Sequence, residues 1–390
     1  MEIVTLGDLF KISSGGTPSR REKSYYDNGD IPWIKTGDLH KVRIQQASEY
    51  ITQLGLDKSS AKLFPKDTVL LAMYGATIGA CSILDIEAAT NQACAAFVPN
   101  EKVDTNYLYY FLKSKKNDFI RDGVGGAQPN ISATYLKTVD FPFPSLETQK
   151  QIAAVLEKAD QLRKDCQQME QELNNLAQSV FIDMFGDPVT NPKGWDVGII
   201  GEMLSSANYG TSEKSSTEKK KFPVLRMNNI TYEGNWDFSA LKYMDMSKED
   251  ENKYLVKSGD ILFNRTNSKE LVGKTAVYRE ATSMAYAGYL VRARCNELAH
   301  PDYISSFMNS KYGKKTLQSM CKSIVGMANI NAKEFQKIKI AKPPVELQEK
   351  FAIRVAAIRT KVADVKQQEA EYNLLFNALM QKAFKGELNL

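Results

Sequence analysis

Asn130-Ile-Ser-Ala-Thr-Tyr-Leu-Lys-Thr-Val-Asp-Phe-Pro-Phe-Pro144, continued to Phe185, aligns without a gap onto Asn329-Ile-Asn-Ala-Lys-Glu-Phe-Gln-Lys-Ile-Lys-Ile-Ala-Lys-Pro343, continued to Phe384, at a constant offset of 199 residues. Leu136 falls on Phe335, Val139 on Ile338, Phe141 on Ile340, and Glu147 with Gln149 on Glu346 with Gln348. Further along, Ala153 meets Ala352, Gln168 meets Gln367 and Val180 meets Leu379. Chance does not hold a register that long, so the chain is a tandem duplication. Weaker echoes that need gaps extend upstream. Leu6-Gly-Asp-Leu9 resembles Ile200-Gly-Glu-Met203, and Gly16-Thr17 resembles Gly210-Thr211. Ile31-Pro-Trp-Ile-Lys-Thr-Gly-Asp-Leu39 resembles Phe222-Pro-Val-Leu-Arg-Met-Asn-Asn-Ile230, and the stretch from Asp67 resembles the stretch from Asp260. The order is globular unit, helix, globular unit, helix. The helical parts have kept register while the globular parts have drifted in length, charge and polar residues, which makes the first the scaffold and the second the variable element.

From Thr148 to Phe185 there is no proline or glycine, and Ala159, Leu162, Cys166, Met169, Leu173, Leu176 and Val180 recur at the alternating spacing of three and four that makes a coiled-coil seam. Pro144 and Ser145 with Glu147 form a start signal, and Gly186 with Pro188 a stop. Phe351, Val355, Ile358, Val362, Val365, Tyr372, Phe376, Leu379 and Ala383 follow the same rhythm, broken at Glu369. Each arm would be about 57 Å long at 1.5 Å per residue. Antiparallel pairing would bury both seams and set the two globular units at opposite ends about a pseudo-two-fold axis, as a ruler. A local core or a homodimer zipper is the simpler alternative. The apolar band broadens at Val155, Ala177, Phe181 and Met184, more than a two-helix seam needs, which leaves room for a helix from another subunit.

At 390 residues the chain exceeds one compact core, and 43% apolar with 25% charged residues is an ordinary globular balance. No stretch of eighteen or more apolar residues marks a membrane span, and with acidic residues and no basic n-region at the N-terminus a secretory signal is not expected. Cys81, Cys94, Cys166, Cys295 and Cys321 are scattered with no C-x-x-C pair, and His40 and His300 are the only histidines. Structural zinc is therefore not expected, the histidines read as surface or turn residues, and a reducing cytoplasm is the expected compartment. The net charge of +5 is unevenly placed: residues 188–342 hold 24 basic and 16 acidic side chains, residues 1–143 hold 16 of each. A basic block suits a polyanionic partner.

The turns Ser13-Ser-Gly-Gly-Thr17, Tyr74-Gly-Ala-Thr77, Gly123-Val-Gly-Gly-Ala-Gln128 and Asn264-Arg-Thr-Asn-Ser268 carry what base-edge and phosphate contacts use, although ordinary turns use the same residues. Catalytic signatures are missing: no G-x-G-x-x-G after a strand, no phosphate loop, no H-E-x-x-H and no G-x-S-x-G. Asn191-Pro-Lys-Gly194 lacks the second proline and the aromatic of an amino-methyltransferase tetrapeptide and reads as a linker turn. A binding protein with no catalysis, metal or cofactor of its own is expected.

Pro144-Ser-Leu-Glu-Thr-Gln-Lys-Gln-Ile-Ala153 with Phe181-Ile-Asp-Met-Phe-Gly-Asp-Pro188, and Pro344-Val-Glu-Leu-Gln-Glu-Lys-Phe-Ala352 with Leu379-Met-Gln-Lys-Ala-Phe-Lys-Gly-Glu-Leu388, resemble the central and C-terminal helical regions of specificity (S) subunits of type I restriction-modification enzymes. The likeness spans essentially the whole chain. It implies an α+β protein with two pseudo-two-fold-related, mixed α/β target-recognition domains, 1–143 and 188–342, separated by two long antiparallel coiled-coil helices at 144–187 and 343–390. It further implies a DNA-binding subunit without catalysis that reads one half of a bipartite, asymmetric duplex target with each domain. Two modification (methyltransferase) subunits would dock on it and methylate adenines with S-adenosylmethionine they carry themselves, and restriction subunits could join. The alternatives are a solitary architectural or regulatory DNA binder and a self-sufficient methyltransferase.

DNA contacts are expected from polar loop residues. In the first domain these are Thr17, Arg20, Lys35, Thr36, Tyr74, Thr77, Gln128 and Asn130; in the second they are Tyr209, Thr211, Arg226, Asn228, Asn229, Arg265, Asn267 and Asn329, with Lys219, Lys220 and Lys221 on phosphates. Partner subunits are expected at Val155, Ala177, Phe181, Met184, Phe376 and Phe384.

Overall fold

Val69–Ala72, Cys81–Leu84, Cys94–Phe97 and Ile261–Asn264, all inside their sheets, are largely apolar and buried at every position. Such runs belong in the middle of a covered sheet. The computed structural model describes residues 2–124, 130–324 and 327–388. They fall into two compact units, residues 1–166 with 368–390, and residues 167–367.

In unit 1 a five-stranded sheet has the order Ser13–Ser14, Cys94–Phe97, Val69–Ala72, Cys81–Leu84, Arg43–Ile44. Its central register sets Val69 opposite both Phe97 and Ile83. A smaller sheet pairs Glu49–Ile51, Ile31–Ile34, Ala88–Thr90 and Leu63–Phe64, with Trp33 beside Ala89. Unit 2 repeats both: Leu204–Tyr209, Leu290–Cys295, Ile261–Asn264 and Thr275–Val277 form the main sheet, and Lys242–Met244, Phe222–Leu225 and Ala285–Tyr286 the smaller one.

The arms are the helices Leu146–Phe185 and Val345–Lys385. Gly186 at φ +84 and Gly386 at φ +77 end them in the left-handed conformation that favours glycine. Within unit 1, Arg163 bonds Asn373 and Cys166 lies in the field of Glu369; within unit 2, Glu170 pairs with Lys366 and Phe185 packs on Phe351. One number rises as the other falls, so in each unit the two arm segments run antiparallel.

The duplication is visible atom by atom where the arms begin. Gln149, fully buried, accepts the Asp104 N–H at 2.9 Å and donates to the carbonyls of Lys102 and Pro144; Gln348 does the same with His300, Leu298 and Pro343. Tyr107 donates its hydroxyl to the Pro142 carbonyl as Tyr303 does to that of Ala341. Gln348→Ala leaves one amide and two carbonyls unpaired in the interior, and we expect it to lower unfolding stability by about 1–3 kcal/mol in urea titration; an unchanged midpoint would mean that water replaces the side chain.

Two of the upstream echoes shift by one residue. Asp67 at φ +65 bonds the Leu84 carbonyl as Gly259 at φ +93 bonds that of Tyr278, so Asp67 corresponds to Gly259 and not to Asp260. Gly15, not Gly16, corresponds to Gly210: a Cβ at either would fall 1.9 Å from the Thr90 carbonyl or 2.3 Å from the Tyr286 carbonyl. Apolar strands look alike when slid by one residue, and only the hydrogen-bond ladder fixes the register. Arg265 thereby becomes the counterpart of Met73, whose carbonyls accept from Ile330 and Ile131.

Candidate nucleic-acid interface

Arg265 follows directly on strand Ile261–Asn264 and is tied on both sides by its backbone, its N–H to the Tyr289 carbonyl and its carbonyl to Ile330. Its guanidinium lies 4.9 Å from the centroid of the Tyr209 ring, with Nη2 3.3 Å from Asn329 Oδ1 and Nη1 3.5 Å from the Gly288 carbonyl. The Tyr209 hydroxyl accepts the Ala332 N–H at 3.0 Å. Tyr209 and Tyr289 stay 43% and 53% exposed beside it. Three candidates from distant segments thus converge, with Asn267 on the adjoining short strand opposite Ala328. A planar cation seated on an aromatic face is suited to the paired acceptors of a guanine edge.

A second polar cluster, in unit 1, is built differently. Glu49 takes Arg20 at 2.6 Å and Lys35 at 2.5 Å on its two oxygens, and Arg20 lies 4.5 Å from the Tyr26 ring centroid and 5.0 Å from that of Trp33. Hydrogen bonds from Lys35, then Arg20, hold the Glu49 carboxyl below its usual range against the opposing effect of burial. One carboxylate shared by two cations fixes their direction and removes half of their charge. Thr17 donates to Gln92, Thr77 donates to the Tyr74 carbonyl, and exposed Tyr74 bridges exposed Asn130. Thr36 is half-buried at the start of a helical turn. Gln128 lies outside the described residues.

Several candidates in unit 2 serve the fold. Asn229 is buried, accepts the Arg226 N–H and donates to the Asp237 carbonyl; Arg226 reaches the Ala240 carbonyl. Thr211 is buried and accepts the Glu213 N–H. Lys221 pairs with Glu251 at 2.6 Å, whereas Lys219, Lys220 and Asn228 are exposed. The extra apolar width of the arms is taken up inside each unit: Phe181 stacks on Tyr303 at 5.7 Å and meets Phe351, Phe376 meets Tyr110, and Phe384 meets Tyr107 and Phe111. Val155, Ala177 and Met184 are half-buried. Sequence reading missed Glu49 and Tyr289; Glu49 lies 29 and 14 residues from its cations, and no local pattern marks it.

Among the described residues no three His, Cys, Asp or Glu side chains gather as a metal site, and no helix is long and apolar enough to cross a membrane. The five cysteines are free, and burial pushes the Cys81 and Cys94 thiols up to about 12. His300 caps helix Pro301–Asn309, and burial lowers its pKa.

The chain is a duplicated mixed α/β protein, each copy pairing a buried sheet with a polar loop cluster. The family described as the type I restriction modification DNA specificity domain matches residues 1–175 and 192–372, and the chain belongs to it. The type I restriction enzyme MjaIX specificity subunit of Methanocaldococcus jannaschii is 26% identical, over 100% of this chain and 94% of the relative. The EcoKI specificity subunit of Escherichia coli is 24% identical, over 96% and 86%. The fold is shared with a solved chain of a type I R-M system (TM-score 0.61, 17% identity, 99% and 98% covered) and with the type I S subunit from M. genitalium (0.57, 16%, 98% and 96%).

Proposed function

We propose that this chain is the non-catalytic, sequence-reading subunit of a type I restriction-modification complex. Each recognition domain, 1–143 and 188–342, reads one half of a bipartite DNA target in the major groove. The helices at 144–187 and 343–390 form a coiled-coil spacer that sets the gap and offers a platform to two modification subunits. The single observation that carries this reading is one topology built twice with unlike chemistry at matched positions, Met73 in one unit and Arg265 in the other. Readers alike in build and unlike in side chains suit an asymmetric target.

The test is reconstitution. Chain and methyltransferase subunit together should methylate adenine in a split duplex sequence, while the chain alone should neither transfer a methyl group nor bind S-adenosylmethionine in a direct titration. Methylation by the chain alone overturns the proposal. Within it, Arg265→Ala should cost about 1–3 kcal/mol of binding and relax preference in one half-site only. Equal weakening on every sequence in competition assays would make Arg265 a phosphate contact.

A further inference from the structure

Helix Lys311–Met320 carries Lys311, Lys314 and Lys315 and no carboxylate, and spacings of three and four residues set these lysines on one face. The helix in the same place of unit 1, Lys116–Asp122, is balanced locally: Asp118 pairs with Lys115 and Arg121, and Arg121 also with Asp122. Part of the surplus charge of residues 188–342 therefore sits on this helix. Lys274 adds to it. Lys274 is 9% exposed and shares a small pocket with Lys314, Tyr232, Glu270 and Gln318. Lys314 donates to the Tyr232 carbonyl at 2.8 Å and lies 3.1 Å from the centroid of its ring. None of the four lysines is ion-paired with a described residue. The Glu270 carboxylate is taken by its own N–H and by Ser268, and exposed Glu233 supplies the negative field felt by Lys274 and Lys314. Burial brings the Lys314 pKa down to about 8 and moves that of Lys274 the same way, because the water both ammonium groups have lost outweighs the opposing field of Glu233.

We propose that this lysine cluster seats a phosphate of the DNA backbone, so that unit 2 grips the duplex at a point where unit 1 does not. The proposal rests on the DNA-binding reading above. The pocket, about 10 Å³, is too small to enclose a free phosphate ester, so the anion must be presented from outside. Lys311, Lys314 and Lys315 also line a neighbouring groove of about 1310 Å³, which gives a polymer room to approach.

The experiment is the salt dependence of binding of the full chain to a random-sequence duplex between about 50 and 200 mM salt. The Lys311→Gln/Lys315→Gln variant, whose two positions are exposed, and the Lys274→Gln/Lys314→Gln variant should each flatten the slope of log K against log salt, by about 0.9 for every phosphate no longer neutralised. Sequence preference should stay as it was, and Lys115→Gln/Lys116→Gln in unit 1 should leave the slope alone. Unchanged slopes in both unit 2 variants overturn the proposal. Inorganic phosphate that shifts the Lys274 and Lys314 resonances while the slopes stay unchanged would assign the site to a free phosphate instead and also overturn it. Absence of any salt-dependent duplex binding by the unaltered chain would sink the DNA-binding reading itself, and this proposal with it.

Discussion

Inserting one heptad into each arm, between Cys166 and Gln167 and between Gln367 and Gln368, should lengthen the preferred gap between half-sites by about three base pairs: seven residues add about 10 Å of helix, and one base step is about 3.4 Å. Binding to the original spacing should fall by about 100-fold or more, because two tethered readers that cannot engage together lose the advantage of linkage. The insertion points are the positions at which the chain divides into its two compact units, and Gln167, Gln367 and Gln368 are all exposed. Each core is thereby left intact. Selection from duplexes with randomised gaps reads the result, and an unchanged preferred gap would show that the arms do not measure distance.

Phe181→Ala should destabilise the isolated protein by about 3–5 kcal/mol, the range for emptying a buried aromatic site. Phe181 is 2% exposed and is closed in by Phe185, Tyr303 and Phe351, with ring centroids 5.1 to 5.7 Å apart. The arm at this point is therefore part of the unit 2 core. Were Phe181 instead reserved for a partner subunit, the substitution would weaken assembly and leave chemical denaturation of the free chain unchanged. The apolar arm residues left exposed are others, such as Ile353 and Leu374, 72% and 71% exposed.

That contrast shows where sequence reading stops. A glycine- and proline-free run between Pro144 and Gly186 was enough to place the first arm, because helix start and stop signals are local chemistry. The offset of 199 likewise led to the two buried glutamines, since a side chain that must satisfy three backbone groups at once leaves little freedom to vary. Periodicity could not say what each apolar residue packs against. Met169 and Leu176 lie on the expected seam and are about half exposed, while Phe181, beside the seam, is sealed by Tyr303 from a helix over a hundred residues away. The interface was legible as a composition and not as an arrangement. Arg265, Tyr209 and Asn329 could be named as polar loop residues, but the long-range strand pairing that gathers them is a tertiary fact. Asn229 and Thr211, drawn from the same kind of loop, turned inward to satisfy backbone groups, which is the other common use of such residues in turns.

The central claim is that two unlike readers on one chain specify a split sequence for a methyltransferase. Mapping adenine methylation across the genome of cells with and without this gene tests it most directly. The account predicts a motif in two unequal parts, separated by a fixed run of unspecified bases, that disappears with the gene. A methylation pattern that does not depend on the gene, or a gene-dependent motif that is continuous and symmetric, would contradict it.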